Sequence, residues 1–152
     1  NFMSETNPKI LIVEARFYED VADALVAGAT KVIEDAGMEA VRVPVPGVFE
    51  VPAAVRRAWA TGKFDGCVTL GCVIRGETDH YDHICREVSR TLMDQTVDHV
   101  MPHGFGILTC ENRDQAWERA DVVQRDIGGR AAEACLRMIE VEEQFSSKSI
   151  RF

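Results

Sequence analysis

The stretch Gly66-Cys-Val-Thr-Leu-Gly-Cys-Val-Ile-Arg-Gly-Glu-Thr-Asp-His-Tyr-Asp-His83 reads as a buried strand, a glycine-marked turn and a helix start. Val68, Leu70, Val73 and Ile74 form an apolar run bounded by Gly66, Gly71 and Gly76. A run that is continuous rather than alternating suits a strand covered on both faces of a parallel sheet. Arg75-Gly76-Glu77-Thr78 leaves its carboxyl end, and Thr78 reads as the N-cap of a helix from about Asp79 with Tyr81, Ile84, Val88 and Leu92 at helical spacing. Free backbone N–H groups at such a start favour an anion, with Arg75 close by. His80, expected within the first turn, is the natural proton carrier near neutral pH.

Working outward, Lys9-Ile-Leu-Ile-Val13 is a first strand that ends at Glu14-Ala-Arg-Phe17. From Tyr18 the positions Val21, Leu25, Ala29, Val32 and Ala36 keep one face of a helix, and Gly37 is a C′ stop. Val41 and Val43 make a second strand closed by Pro44-Val-Pro-Gly47, where the prolines forbid helix. Val48-Phe-Glu50 leads as a loop into a helix over Val51 to Thr61, with Pro52 in its first turn and Val55, Ala58 and Trp59 inward. After the central strand and its helix, Asp98-His-Val-Met-Pro102 breaks the pattern and Gly104–Thr109 forms a fourth strand. Cys110-Glu-Asn112 is a loop, and Gln115, Trp117, Glu118 and Arg119 lie on a short helix. A final helix over Gly129 to Phe145 turns Ala132, Leu136 and Ile139 inward. Strands alternating with helices over short connections pair in parallel, giving a doubly wound α/β sheet with ligands outside the strands' carboxyl ends.

Composition narrows the partners. A chain of 152 residues, 46% hydrophobic, is long enough for one domain with a substantial core, here over residues 9–146 between a flexible segment 1–8 and a tail 147–152. A net charge of -8 disfavours nucleic acid and anionic membranes, and no apolar run approaches the roughly 20 residues of a span. The five cysteines, Cys67, Cys72, Cys85, Cys110 and Cys135, are odd in number and lack a C-x-x-C pair, so they read as core residues of a reduced cytoplasmic protein. No secretory signal is visible.

The topology should gather Phe17, Gly47 to Glu50, Ile74 to His80, Phe105 and Arg119 in one place. Each has an ordinary explanation alone: Phe17 and Phe105 as core aromatics, Glu50 as a helix-start carboxylate, Arg119 as a solvated charge. Their convergence is the functional argument. His80 and His83 share a helical face within Asp79-His-Tyr-Asp-His83, but a metal would need further ligands, and His99 and His103 fall at the opposite end. Marks of dinucleotide, nucleoside triphosphate and serine hydrolase sites are missing.

Four segments, Glu14-Ala-Arg-Phe17, Pro46-Gly-Val-Phe-Glu50, Leu70–Asp82 and Phe105–Arg119, together resemble the 6,7-dimethyl-8-ribityllumazine synthase family, in order and at family spacing. The resemblance implies a flavodoxin-like α/β/α sandwich on a mostly parallel four-stranded sheet. It implies the penultimate step of riboflavin synthesis: condensation of 5-amino-6-(D-ribitylamino)pyrimidine-2,4-dione with 3,4-dihydroxy-2-butanone 4-phosphate, without cofactor or metal. It further implies that Phe17 stacks on the pyrimidine and that Val48, Phe49 and Glu50 hold the ribityl chain. Cys72, Val73 and Ile74 would bind the pyrimidine edge through backbone groups, Glu77 and Thr78 the phosphate, and His80 would move protons. Phe105 and Arg119 would enter from a neighbouring subunit, Arg119 pairing with phosphate and serving the catalysis. A catalytically silent flavin- or lumazine-binding module and a structural assembly subunit are the alternatives on the same fold.

The family is divided between pentamers and sixty-subunit shells. Around Gly128-Gly-Arg130 the Gly-Asn-Lys-Gly segment of many members is absent, and Ala120–Arg130 is about two residues longer than in shell formers. The expectation is a homo-pentamer, or two loosely stacked, because the extra length obstructs close approach of pentamers.

Overall fold

The computed structural model describes residues 7–77 and 80–146. Four strands and five helices alternate: β1 (Lys9–Ala15), α1 (Glu19–Asp35), β2 (Glu39–Val45), α2 (Val51–Trp59), β3 (Gly66–Ile74), α3 (Tyr81–Asp98), β4 (His103–Cys110), α4 (Arg113–Ala120) and α5 (Ile127–Gln144). The sheet order is β2-β1-β3-β4 and every pairing is parallel, so the expected α/β fold is present.

All nine residues of β3 are buried, as its apolar run requires. Alternation sends Val68, Leu70, Cys72 and Ile74 into a core with Leu25, Ile33, Ala116 and Ala132, under α1, α4 and α5. Cys67 and Val73 face a second core with Val51, Val55, Val88 and Leu92, under α2 and α3. Helices on both faces make three layers. α5 can lie close on β4 because of Gly104: a Cβ there would stand 1.8 Å from the Ala131 carbonyl oxygen. The polar Thr69 is buried but satisfied, its Oγ1 2.9 Å from Nε2 of His103, whose Nδ1 is 2.8 Å from Oγ1 of Thr96.

Several boundaries differ from the sequence reading. β1 runs on through Glu14, a fully buried carboxylate that accepts from Arg16 Nη1 at 2.7 Å and from Arg42 Nε and Nη2 at 2.6 and 2.8 Å. These two cations allow a charge in a strand interior. β2 includes Pro44 rather than ending before it, which an edge strand tolerates because a missing N–H can face outward. Val48–Glu50 is a single 3₁₀ turn, α2 ends at Trp59, and α5 begins at Ile127. Ala36, expected inward, is the exposed C-cap of α1, where the chain turns into Gly37 at φ +79°. Thr78, read as the N-cap of α3, and Asp79 lie outside the described residues. His80 is not in the first turn: it is the exposed N-cap residue, with φ -126°, immediately before Tyr81.

Candidate functional site

β1 and β3 end at different heights, and this stagger builds the site. The β1–β3 register stops at Glu14↔Leu70, whereas β3 stays paired with β4 as far as Ile74↔Cys110. Cys67 N and Arg75 N both donate on the β4 side, to Pro102 O and Cys110 O. Strand alternation then turns the peptide groups of Cys72 and Ile74 to the other side, where β1 has already ended. The Ile74 carbonyl accepts the turn bond from Glu77 N at 3.2 Å.

A cleft of about 170 Å³ lies beside this edge, lined by Phe17, Tyr18, Gly47, Val48, Phe49, Glu50, Cys72, Val73 and Ile84. Six of the residues expected in the site therefore meet there: Phe17, Val48, Phe49, Glu50, Cys72 and Val73. Phe17 and Phe49 are 64% and 65% exposed, and Phe17 packs edge-on against Tyr18 with ring centroids 4.9 Å apart. Neither aromatic is a core residue. The Glu50 carboxylate folds back so that Oε1 accepts from Gly47 N at 2.9 Å, which stabilises the 3₁₀ turn. Ile74 is 1% exposed with its side chain in the α1-side core, so only its backbone can reach a ligand.

The turn beyond β3 is held on both flanks. Arg75 Nε lies 3.2 Å from Glu111 Oε2, its Nη1 3.3 Å from Asp82 Oδ1, and the guanidinium covers the Tyr81 ring at 4.3 Å. On the far side of Gly76, at φ +82°, Glu77 Oε1 accepts from the Tyr18 hydroxyl at 3.0 Å and lies 3.6 Å from Arg113 Nη2. Burial, and then the bond to Glu77, push the Tyr18 hydroxyl up to about 12, so it remains a donor at neutral pH. His80 follows this turn, its carbonyl accepting from the N–H of the cleft residue Ile84 at 2.8 Å.

Phe105 and Arg119 do not join the cleft of their own chain, contrary to the expectation that one topology would gather the whole set. Phe105 is the third residue of β4, opposite Thr69, well short of the carboxyl end. It is 45% exposed beside Ser89 and Met93 of α3 and edge-on to His103 at 6.3 Å. Arg119 projects from α4 to the end of β4, with Nη1 3.4 Å from Thr109 O and 3.5 Å from Cys110 Sγ. β4 is an edge strand, so both residues stand at a margin of the molecule.

Sequence reasoning missed Tyr18 and Arg113. Tyr18 could have been found by its place beside Phe17 at a strand end. Nothing in the spacing brings Arg113 to Glu77, because the approach of α4 to that turn is a tertiary contact. Among the described residues no group of three His, Cys, Asp or Glu side chains is placed to hold a metal ion, and no helix is long and apolar enough to cross a membrane.

Comparison with known proteins converges on one family. Residues 7–143 match the family described as 6,7-dimethyl-8-ribityllumazine synthase. The chain is 48% identical over 144 residues to the 6,7-dimethyl-8-ribityllumazine synthase of Agrobacterium fabrum, covering 91% of this chain and 97% of that protein. It is 42% identical over 148 residues to the synthase of Paramagnetospirillum magneticum, covering 93% and 99%. It is also 46% identical over 144 residues to 6,7-dimethyl-8-ribityllumazine synthase 1 of Rhizobium meliloti, covering 91% and 94%. With the parallel sheet and the cleft at its strand ends, a match of this length and identity means that the chain belongs to the 6,7-dimethyl-8-ribityllumazine synthase family.

Proposed function

We propose that this protein condenses 5-amino-6-(D-ribitylamino)pyrimidine-2,4-dione with 3,4-dihydroxy-2-butanone 4-phosphate to 6,7-dimethyl-8-ribityllumazine, releasing phosphate and water, at sites shared by neighbouring subunits of a homo-pentamer. The observation that carries the reading is the cleft itself. It sets the exposed ring of Phe17 beside Cys72 and Val73, where β3 runs on past its last pairing with β1, which suits a flat heterocycle rich in amide-like donors and acceptors.

The pyrimidine stacks on Phe17, and the Cys72–Ile74 backbone, with Val73 beneath, binds its edge. Val48, Phe49 and Glu50 hold the ribityl chain, the free oxygen of Glu50 accepting from its hydroxyls. The butanone phosphate lies at the turn that ends in Glu77, with Glu77 and Thr78 as its proposed ligands. The aromatic amine adds to the ketone, water leaves to form an imine, phosphate departs after loss of a neighbouring proton, and the second ring closes when the ribitylamino nitrogen adds to the remaining carbonyl and a second water leaves. His80, exposed at the head of α3, takes and returns the protons, which an imidazole can do in both directions near neutral pH. The remainder is positioning of two substrates face to face.

A cleft of about 170 Å³ is smaller than the 300 Å³ or more usual for a ligand pocket, which supports completion by a second chain. Phe105 and Arg119 stand at the β4 margin, where they can serve a neighbour's cleft, Phe105 covering the ring and Arg119 pairing with phosphate. The flank below them is apolar and exposed at Met93, Val97, Val100, Met138 and Phe145, a surface suited to a second copy. Five chains of 16.9 kDa give a particle of about 85 kDa, since a head-to-tail contact of this kind closes on itself. The five free cysteines are compatible with a reducing cytoplasm. Turnover with both substrates, followed by lumazine absorbance, is the decisive assay; binding of lumazine without turnover would mark a silent module instead.

A further inference from the structure

The turn assigned to the phosphate carries a carboxylate, and this is an electrostatic problem that the fold answers. A phosphate dianion beside Glu77, a carboxylate at the exposed turn next to the cleft, would be repelled by it. Glu77 itself offers that anion little, since its N–H is already given to Ile74 O at 3.2 Å. Two residues from different elements converge on Glu77 Oε1: the Tyr18 hydroxyl at 3.0 Å from the β1–α1 connection, and Arg113 Nη2 at 3.6 Å from the first residue of α4. Arg113 also lies across the Tyr18 ring, its guanidinium carbon 4.8 Å from the centroid, so the three side chains form one stacked unit. Arg75, the other cation at this turn, is already engaged by Glu111 and Asp82.

We infer that Tyr18 and Arg113 form a clamp on the Glu77 carboxylate, neutralising it and fixing the turn, and that this clamp sets the affinity for the phosphate-bearing substrate. The inference deepens the reading above and rests on its placement of the phosphate. Both are positioning residues: they act through Glu77, whereas Arg119 of a neighbour is proposed to pair with the phosphate itself. The clamp belongs to a single chain, because all three side chains do.

The test is a double-mutant cycle with KM and kcat determined separately for each substrate. Arg113→Ala raises KM for the butanone phosphate about tenfold, with kcat at saturation within about twofold and KM for the pyrimidine unchanged. Arg113→Lys, which retains the charge, keeps most of the affinity. In the Glu77→Gln background, where there is no charge left to neutralise, Arg113→Ala adds less than about a twofold change. Inorganic phosphate, titrated by calorimetry into the same variants, loses affinity in the same pattern. An unchanged KM in Arg113→Ala overturns the clamp, and so does an equal rise in both backgrounds, which would make Arg113 a direct phosphate ligand. The calorimetric arm does not depend on turnover. A wild-type protein without turnover, but with phosphate affinity that follows the cycle, sinks the reaction assignment and leaves the clamp standing.

Discussion

If His80 and Arg119 of different chains meet in one site, two disabled variants should rescue each other. Arg119 is tied to the end of β4 through Thr109 O and Cys110 Sγ, whereas His80 heads α3 beside the cleft at the ends of β1 and β3. His80→Ala should lower the rate about 10²-fold, to roughly 1%. Arg119→Ala should remove about 2 kcal/mol or more of phosphate pairing, leaving roughly 3% of kcat/KM. When the two are co-expressed in equal amounts and mix at random in rings, a given site draws an intact His80 with a chance of one half and an intact neighbouring Arg119 with a chance of one half. About a quarter of the sites are then wild type, and kcat/KM for the butanone phosphate recovers to roughly 25%, some eightfold above the better parent. Were both groups supplied by one chain, every site would lack one of them and the mixture would show only the parents' mean of about 2%. That result, from particles shown to contain both variants, would refute the shared site.

Glu14→Ala should destabilise the protein by about 3 kcal/mol, the lower end for breaking a buried ion pair, because Arg16 and Arg42 can still reach water; urea unfolding at fixed protein concentration measures it, and a loss below about 1 kcal/mol would contradict the role given to this carboxylate. His103 is partly buried and its pKa is lowered to about 4 by desolvation, so the folded protein keeps it neutral where the unfolded chain, near 6.5, takes a proton. Its stabilising effect is complete above pH 6.5 and is lost as pH falls towards 4, amounting to about 2 kcal/mol between pH 7 and 5. His103→Gln should flatten that part of the acid slope, and an identical slope in the variant would show that another group titrates. Light scattering should report a particle near 85 kDa, five chains of 16.9 kDa, and a particle of about 1,000 kDa would mean that the α4–α5 connection does not block shell assembly.

The sequence by itself determined the layered α/β architecture, because hydrophobic periodicity is a local record of which faces are covered. The apolar run of β3, bounded by glycines, suited a strand covered on both faces better than a half-exposed one, and the residues of α1 repeat at helical spacing. It also marked the strand-end residues Phe17, Val48, Phe49 and Glu50, since a parallel sheet delivers its carboxyl ends to one edge, whereas Cys72 and Val73 entered through the family resemblance. Glu14 and Pro44 were misjudged for the same reason: whether a carboxylate can be buried, or a proline can lie in a strand, depends on what stands opposite. Arg42 on β2 and the outer edge of the sheet are facts of tertiary structure. Only the fold decided that Phe105, at the third position of β4, is too far from a strand end to join its own cleft. Only the fold brought Arg113 and Tyr18 onto the Glu77 carboxylate. Contacts between groups far apart in the chain are set by how helices pack on the sheet, and no periodicity within either segment records them.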